Sequence, residues 1–441
     1  MGNGPSSRPG TATGPPPPSD ATRRILALKT AVVIGGGFVG TACAWQLQQA
    51  GFQCTVVDAA DTTRAASWGN AGHLAIEQID PLASVANLRS LPGRLFTFGG
   101  PVGLPLRDVG AWLPFGIRLM AAAAPQRFAQ GRRVLSSLLA QAMPAWHRLV
   151  EQTGTSQHLR VDGHFVAWES EPSARRGKRR WLGADMGEAR VHAASPAELA
   201  QLRAHFNQRP VDAVRFDNTG QILDLARTRA GIAQALCRHG GNVRVATAKA
   251  VVVTGERAAV RLEDGALLDA DLVLVAAGAG SATLLPASEG AVPLIAERGY
   301  HLDADSAAGH LPDFLPPVAF EDRSVIVTRF ASTLRIAGFT EFSRLGSAPD
   351  PRKWQRLAQH ARELGLPIGP QARPWIGARP TLPDYLPAVG RSRAAPNLLY
   401  AFGHQHLGVT LAAITGELVA AMASGADPAV DVRPLDLRRF Q

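Results

Sequence analysis

The stretch Val32-Val33-Ile34-Gly35-Gly36-Gly37-Phe38-Val39-Gly40 decides the fold. Thr30 to Ile34 is a short β-branched apolar run, Phe38 to Ala50 has helical spacing, and Gln53 to Asp58 is a second strand-like run. The nine residues therefore sit in a β-α-β frame, where Gly35, Gly37 and Gly40 satisfy G-x-G-x-x-G. Gly35 permits the tight turn, Gly37 lets the backbone approach a pyrophosphate, and Gly40 lets helix and strand pack closely. The helix opened by Phe38 and Val39 points its positive end at the phosphate. Asp58 ends the second strand, where a carboxylate accepts hydrogen bonds from ribose hydroxyls and repels a 2′-phosphate. A glycine turn alone would be weak evidence, but with the frame and Asp58 it predicts binding of a dinucleotide, NAD or FAD.

Working outward, 441 residues exceed one domain of about 150 residues and suit a two-part enzyme. Hydrophobic residues at 46% and charged residues at 19% exclude a disordered chain or a fibre. The net charge of +10 raises nucleic acid or an anionic membrane as partners. Only Arg175-Arg176-Gly177-Lys178-Arg179-Arg180 is densely basic, and it lacks interleaved aromatics, so it reads as a solvated basic loop and not a base-stacking surface. Three cysteines without a Cys-x-x-Cys argue against a disulfide scaffold and against a metal site of the zinc type. No run of roughly 18 apolar residues reads as a spanning helix. Residues 1–24, proline-rich and without a secretory apolar core, read as a disordered tail.

From Pro81 to Val150 the pattern is helical and punctuated by prolines, as in an inserted segment. Ser195 and Asp224 read as N-caps of two later helices. Val243–Ala246, Ala250–Thr254, Ala258–Leu262 and Leu272–Ala276 read as a meander-like set of strands ending at Ala277-Gly278. A helix is predicted near Arg352 to Glu363, and a last strand, Leu398–Phe402, feeds a helix over Val409–Ala423.

Two loops choose the cofactor. Arg64 to His73 is a small-residue loop just past Asp58 that can wrap a pyrophosphate or a flavin edge. Gly403 to Thr410 leads a strand into a helix, where backbone N–H groups favour a ligand with developing negative charge, such as a flavin's N1–C2=O2 edge. A chain that returns to the nucleotide domain so late suits an extended FAD better than NAD.

These motifs resemble the D-amino-acid oxidase superfamily of FAD enzymes, closest to its D-amino-acid dehydrogenase small-subunit branch. The resemblance runs from Thr30 to Ala423. It rests on the glycine stretch, Ser67-x-x-Asn70-Ala71-Gly72, Ala276-Ala277-Gly278, Gly377 to Asp384 with Pro387 and Gly390, and Gly403-His404 with Gly408. The fold implied is α/β, a discontinuous Rossmann-like FAD domain (30–80, 215–290 and 377–441) interleaved with a mixed-sheet substrate domain (81–214 and 291–376). The resemblance implies that Gly35, Gly37, Phe38, Val39, Gly40 and Asp58 hold the ADP half and that the Ala250 backbone receives adenine. It implies that Ser67, Asn70, Ala71, Gly72, Ala277 and Gly278 line pyrophosphate and flavin, and that Gly403, His404, Leu407, Gly408, Val409 and Thr410 hold the flavin's O2 edge. Arg379 takes the place of the arginine that clamps a substrate α-carboxylate, and Tyr300 that of a tyrosine entering the active site. A surface arginine and a core tyrosine are the competing readings. His73 and His404 flank the flavin loops as candidates for orienting substrate, with hydrogen-bonded structural histidines as the alternative.

Relatives that attach FAD covalently use a late cysteine or a histidine before Ala-Gly; here no cysteine follows Cys237 and Asn70 precedes Ala71, so non-covalent FAD is expected. Asp384 is followed by Tyr385 where many relatives have glycine. The activity implied is dehydrogenation of a D-amino acid or of a cyclic secondary amino acid such as D-proline or 4-hydroxy-D-proline. A glycine or sarcosine oxidase and a 2-hydroxy acid dehydrogenase remain alternatives. The implied electron acceptor is a quinone or an electron-transfer protein, with a cytoplasmic enzyme loosely held at the inner face of the cell membrane.

Overall fold

In the computed structural model, residues 1, 2, 4, 29–61, 65–313 and 315–441 are described. The expected tail over 1–24 falls almost wholly outside these residues, as does Arg64. The β-α-β frame forms as its apolar spacing dictates: strand Lys29–Ile34, helix Phe38–Gln49 and strand Phe52–Asp58, the two strands parallel. A parallel pair needs a crossover helix buried against it, and Phe38, Ala42, Trp45 and Leu47 supply the buried face. Four more strands complete a six-stranded sheet in the order Asn242–Val245, Phe52–Asp58, Lys29–Ile34, Leu272–Val275, Leu398–Phe402, Ala388–Arg391.

This corrects the expected meander. Asn242–Val245 and Leu272–Val275 join the parallel sheet on opposite sides of Lys29–Ile34, while Ala248–Thr254, Arg257–Leu262 and Leu267–Asp269 form a separate three-stranded sheet. The basic run is likewise no loop: it lies on helix Glu171–Gly183, started by the Ser170 side chain, which accepts from the backbone N–H of Ser173. The predicted caps form, Asp224 on helix Leu225–Arg238 and Ser195, in a reciprocal box with Glu198, on helix Pro196–His205. The last helix begins at Ala412, three residues after the expected Val409, because a short 3₁₀ turn over Gln405–Leu407 intervenes.

A second large sheet of mixed direction places Arg373–Thr381, Ile295–Ala304 and Leu334–Ser343 side by side. Its face meets the open end of the first sheet, and two single bridges stitch them together: Ala65 to Ala378 and Thr381 to His404. Three segments far apart in sequence thus converge on one place. Among the described residues no helix is long and apolar enough to cross a membrane.

Candidate functional site

A cavity of about 1130 Å³ runs along this junction. One part of the wall is Gly35, Gly37, Val39, Asp58 and Ser67, with Ala246–Ala248 and Ala276–Gly280 beside them, and another is Arg379, Glu297, His73 and His404. The glycine turn is shaped to accept a close ligand: Gly35 has φ +106°, and a Cβ on Gly36 would stand 2.5 Å from Asp58 Oδ2. Gly40 serves packing, since a Cβ there would meet the Gly35 carbonyl oxygen at 1.9 Å. Asp58 is half-buried at the strand end, with Arg229 4.0 Å away, and Arg229 also donates to the Gly36 carbonyl at 2.8 Å and covers the Trp68 ring. The acceptor at the strand end, the tight turn and the long cavity fit an extended dinucleotide.

The loop after Asp58 is held from the second sheet. Arg335 makes a two-toothed pair with buried Asp303 and donates onward to the carbonyls of Trp68 and Asn70. Asn70 Oδ1 accepts from the Gly72 N–H at 2.7 Å, closing the turn, and Ser67 Oγ accepts from the Phe38 N–H at 3.1 Å. Ser67, Asn70 and Ala71 face the cavity; Gly72, at φ +72°, turns the chain against Phe330 instead. Ala277, Gly278, Gly408 and Val409 also lie on the wall.

Other expected residues act one step back. Phe38 packs its ring on Trp146, Leu407 is core, Gly403 makes the turn at φ +79°, and Thr410 Oγ1 accepts from the Ala75 N–H at 3.0 Å. Ala250 is absent from the wall, where Ala246, Thr247 and Ala248 stand. The alternation of a strand explains part of this, since the chain enters at Ala248 and then runs away along the small sheet.

In the other part of the wall, Arg379 lies on the strand beside Glu297, with Nη1 3.3 Å from Glu297 Oε1 and 3.5 Å from Thr340 Oγ1. Its side chain keeps 26% exposure, half-buried and open to the cavity. Gly299 makes room for it: a Cβ there would sit 2.5 Å from Arg379 Nη2. Glu297 is buried and accepts from Thr381 Oγ1 at 2.9 Å and Tyr385 Oη at 3.3 Å. Burial, together with that carboxylate, drives the Tyr385 phenol well above its usual range, so it stays a donor.

Tyr300 also lines the cavity, but it is buried and its contacts are turned to the other side of the strand. Its hydroxyl points away from Arg379 and donates to Glu341 at 3.3 Å while accepting from the Asp350 N–H at 3.1 Å; the ring packs on Trp354. Adjacent strand residues face opposite sides, and Tyr300 is one step out of phase with Gly299 and Glu297. Burial pushes its phenol up to about 12.

His73 and His404 differ. His404 is enclosed, bonded through Nε2 to Thr415 Oγ1 at 3.0 Å, and burial pushes it down to about 3. His73 Nε2 lies 3.1 Å from Glu77 Oε1, and its ring packs 4.3 Å from that of His164. Burial opposes ionisation of Glu77, but the two histidines outweigh it and hold the carboxyl at about 2. His164, which bonds Thr219 through Nδ1, is pushed down to about 3 by burial. One ligand-capable atom from each of His73, Glu77 and His164 lies within 4.8 Å of the others. His406 bonds Gln78, so the first and last loops are joined directly at the cavity. Glu77, His164, Glu297 and Gln78 escaped the sequence reading. The i, i+4 spacing of His73 and Glu77 was the available signal for one of them.

A sequence profile of the DAO family, described as FAD dependent oxidoreductase, matches residues 30–422. The chain is 28% identical to D-amino-acid oxidase of Bradyrhizobium diazoefficiens, across 92% of this chain and 98% of that protein. It is 30% identical to D-amino acid dehydrogenase of Dechloromonas aromatica, across 90% and 97%. Among solved structures, L-proline dehydrogenase from P. horikoshii superposes with TM-score 0.69 at 15% identity, covering 94% and 98% of the two chains. Glycine oxidase from Geobacillus kaustophilus gives 0.67 at 20%, covering 93% and 98%. These two likenesses speak for the fold.

Proposed function

The chain belongs to the DAO family of FAD-dependent oxidoreductases, and from that premise we propose that it dehydrogenates D-amino acids, including cyclic secondary ones such as D-proline and 4-hydroxy-D-proline. The observation that carries this reading is Arg379, braced by a buried carboxylate and open to the same cavity as the dinucleotide turn. A guanidinium presents a planar fork that matches an α-carboxylate, and Glu297 with Thr340 fixes its orientation before substrate arrives. Bound FAD, held non-covalently, supplies the acceptor for the hydride from Cα. The proposed division is into an FAD domain (30–80, 215–290, 377–441) and a substrate domain (81–214, 291–376), two of whose boundaries fall within strands Asp212–Phe216 and Arg373–Thr381 of the second sheet.

Enclosure excludes water while the Cα–H bond is presented, so orientation and electrostatics do the work without a strong base. His404, neutral at physiological pH, adds no cation to the wall. His73, steadied by Glu77, faces the substrate end, where its imidazole orients the amine. Water then hydrolyses an acyclic imine to the 2-oxo acid. Electrons leave to a quinone or an electron-transfer protein, with the cytoplasmic enzyme loosely held at the inner face of the cell membrane. The test is an anaerobic absorbance titration of the purified protein with D-proline, 4-hydroxy-D-proline, D-alanine, sarcosine and the L-isomers. Bleaching of the flavin band by D-substrates is expected; bleaching by none of them, or by sarcosine alone, overturns the assignment.

A further inference from the structure

Exposed large apolar side chains are not scattered over this chain. Of the fifteen among the described residues, eight fall between Leu82 and Met120. Within this stretch, helix Val109–Ala122 buries only Phe115. Its residues Val109, Leu113, Ile117 and Met120, at spacings of four, four and three, stand on a stripe roughly 80° wide at 100° per residue. They are 42%, 48%, 56% and 56% exposed, and Leu106 at 85% and Phe98 at 75% extend the surface. An ordinary helix of a globular protein turns such a stripe inward; this one turns it out.

The charge of the same stretch is one-sided. Residues 82–127 hold Arg89, Arg94, Arg107, Arg118 and Arg127, all exposed, and a single acidic residue, Asp108, which is buried and accepts from Ser343 and Ser347. Apolar projections on a stretch whose exposed charges are all arginines match the interfacial zone of an anionic bilayer, where apolar side chains enter the acyl boundary and guanidinium groups meet phosphates. A second copy of the chain would set these arginines against themselves across a two-fold axis, which disfavours self-association.

We propose that helix Val109–Ala122, with Leu106 and Phe98, docks the enzyme on an anionic phospholipid surface. The placement has a use. Leu82 and Leu345 are both exposed and both part of the cavity wall, so the cavity opens beside this surface. The Asp108 bonds to Ser343 and Ser347, with Arg107 donating to the Ala348 carbonyl, fix the base of the helix to that rim. A docked enzyme thus turns its cavity mouth toward the lipid, where an apolar electron acceptor resides. That purpose rests on the proposed redox reading; the docking itself does not.

The test is co-sedimentation of the FAD-loaded enzyme with vesicles of phosphatidylcholine alone or mixed with phosphatidylglycerol, at low and high salt. Binding to the mixed vesicles should exceed the neutral ones by about tenfold and fall with salt, and Leu113→Glu with Ile117→Glu should lower it by about tenfold. Flavin absorbance and Tm should not change, since both side chains are exposed. Leu106→Glu, outside the helix, repeats the test if the double variant misfolds. No binding above the neutral vesicles, or binding untouched by these substitutions, overturns the proposal. So does a dimer in sedimentation equilibrium that the substitutions dissociate, which would assign the surface to a second copy. Substrate bleaching of the flavin, measured in the same preparations, reports separately on the redox reading.

Discussion

Strand Ile295–Ala304 carries two clusters built from the same residue types on its two faces. On the cavity face, Arg379, Glu297 and Tyr385 meet, and the arginine keeps an open side. On the other face, Arg298, Glu341, Lys353 and Tyr300 meet, and every member is buried. There two cations share Glu341, and Asp350 stands 3.6 Å from Lys353, so the charges are matched internally. The first cluster keeps a partly exposed guanidinium and the second does not. Function and stability are separated by the thickness of one strand, and the two clusters can be told apart by experiment.

The largest contrast is expected at Arg379. Arg379→Leu should lower kcat/KM for a D-amino acid by roughly 10⁴-fold, about 5 kcal/mol, and should lower Tm as well, because buried Glu297 loses its cation. A kcat/KM left within about threefold would erase the distinction. Lys353→Met should spare activity, costing about 3–5 kcal/mol of stability by denaturant titration because Glu341 is left buried and short of a partner, while kcat stays within about threefold.

Next comes pH. Burial holds His404 at about 3 and His406 at about 4, below the usual 6.5. Between those values and 6.5 the unfolded chain binds protons that the folded chain does not. Stability is therefore complete above that window and is lost as pH falls through it. Going from about pH 7.5 to about pH 5 should cost about 2 kcal/mol per histidine, and His404→Asn should flatten the profile by its share. The smallest effect is at Tyr300: Tyr300→Phe should cost about 1 kcal/mol of stability and leave kcat/KM within about threefold, whereas Tyr385→Phe should act on kcat/KM first.

The glycine stretch was legible because its chemistry is local: turn, close approach and helix start lie within nine residues. The caps at Ser195 and Asp224 were legible for the same reason. The direction of the Tyr300 hydroxyl was not legible because a face is decided by strand phase, and the register shift between Gly299 and Tyr300 against Leu334–Ser343 is set by a partner strand about 40 residues away. Asn242–Val245 was placed in the wrong sheet because parallel pairing leaves no local signature. Glu297 and His164 were missed because a lone polar residue in an apolar strand gains meaning only from what packs over it.

The most direct test of the central claim pairs substrate with variant. Reduction of bound FAD in stopped flow would be compared for a D-amino acid and its uncharged amide, in the native enzyme and in Arg379→Leu. The native enzyme should prefer the acid by a wide margin, and the variant should lose that preference while still being reduced by the amide. Preference for the acid surviving in Arg379→Leu would contradict the account, because the carboxylate would then be held elsewhere.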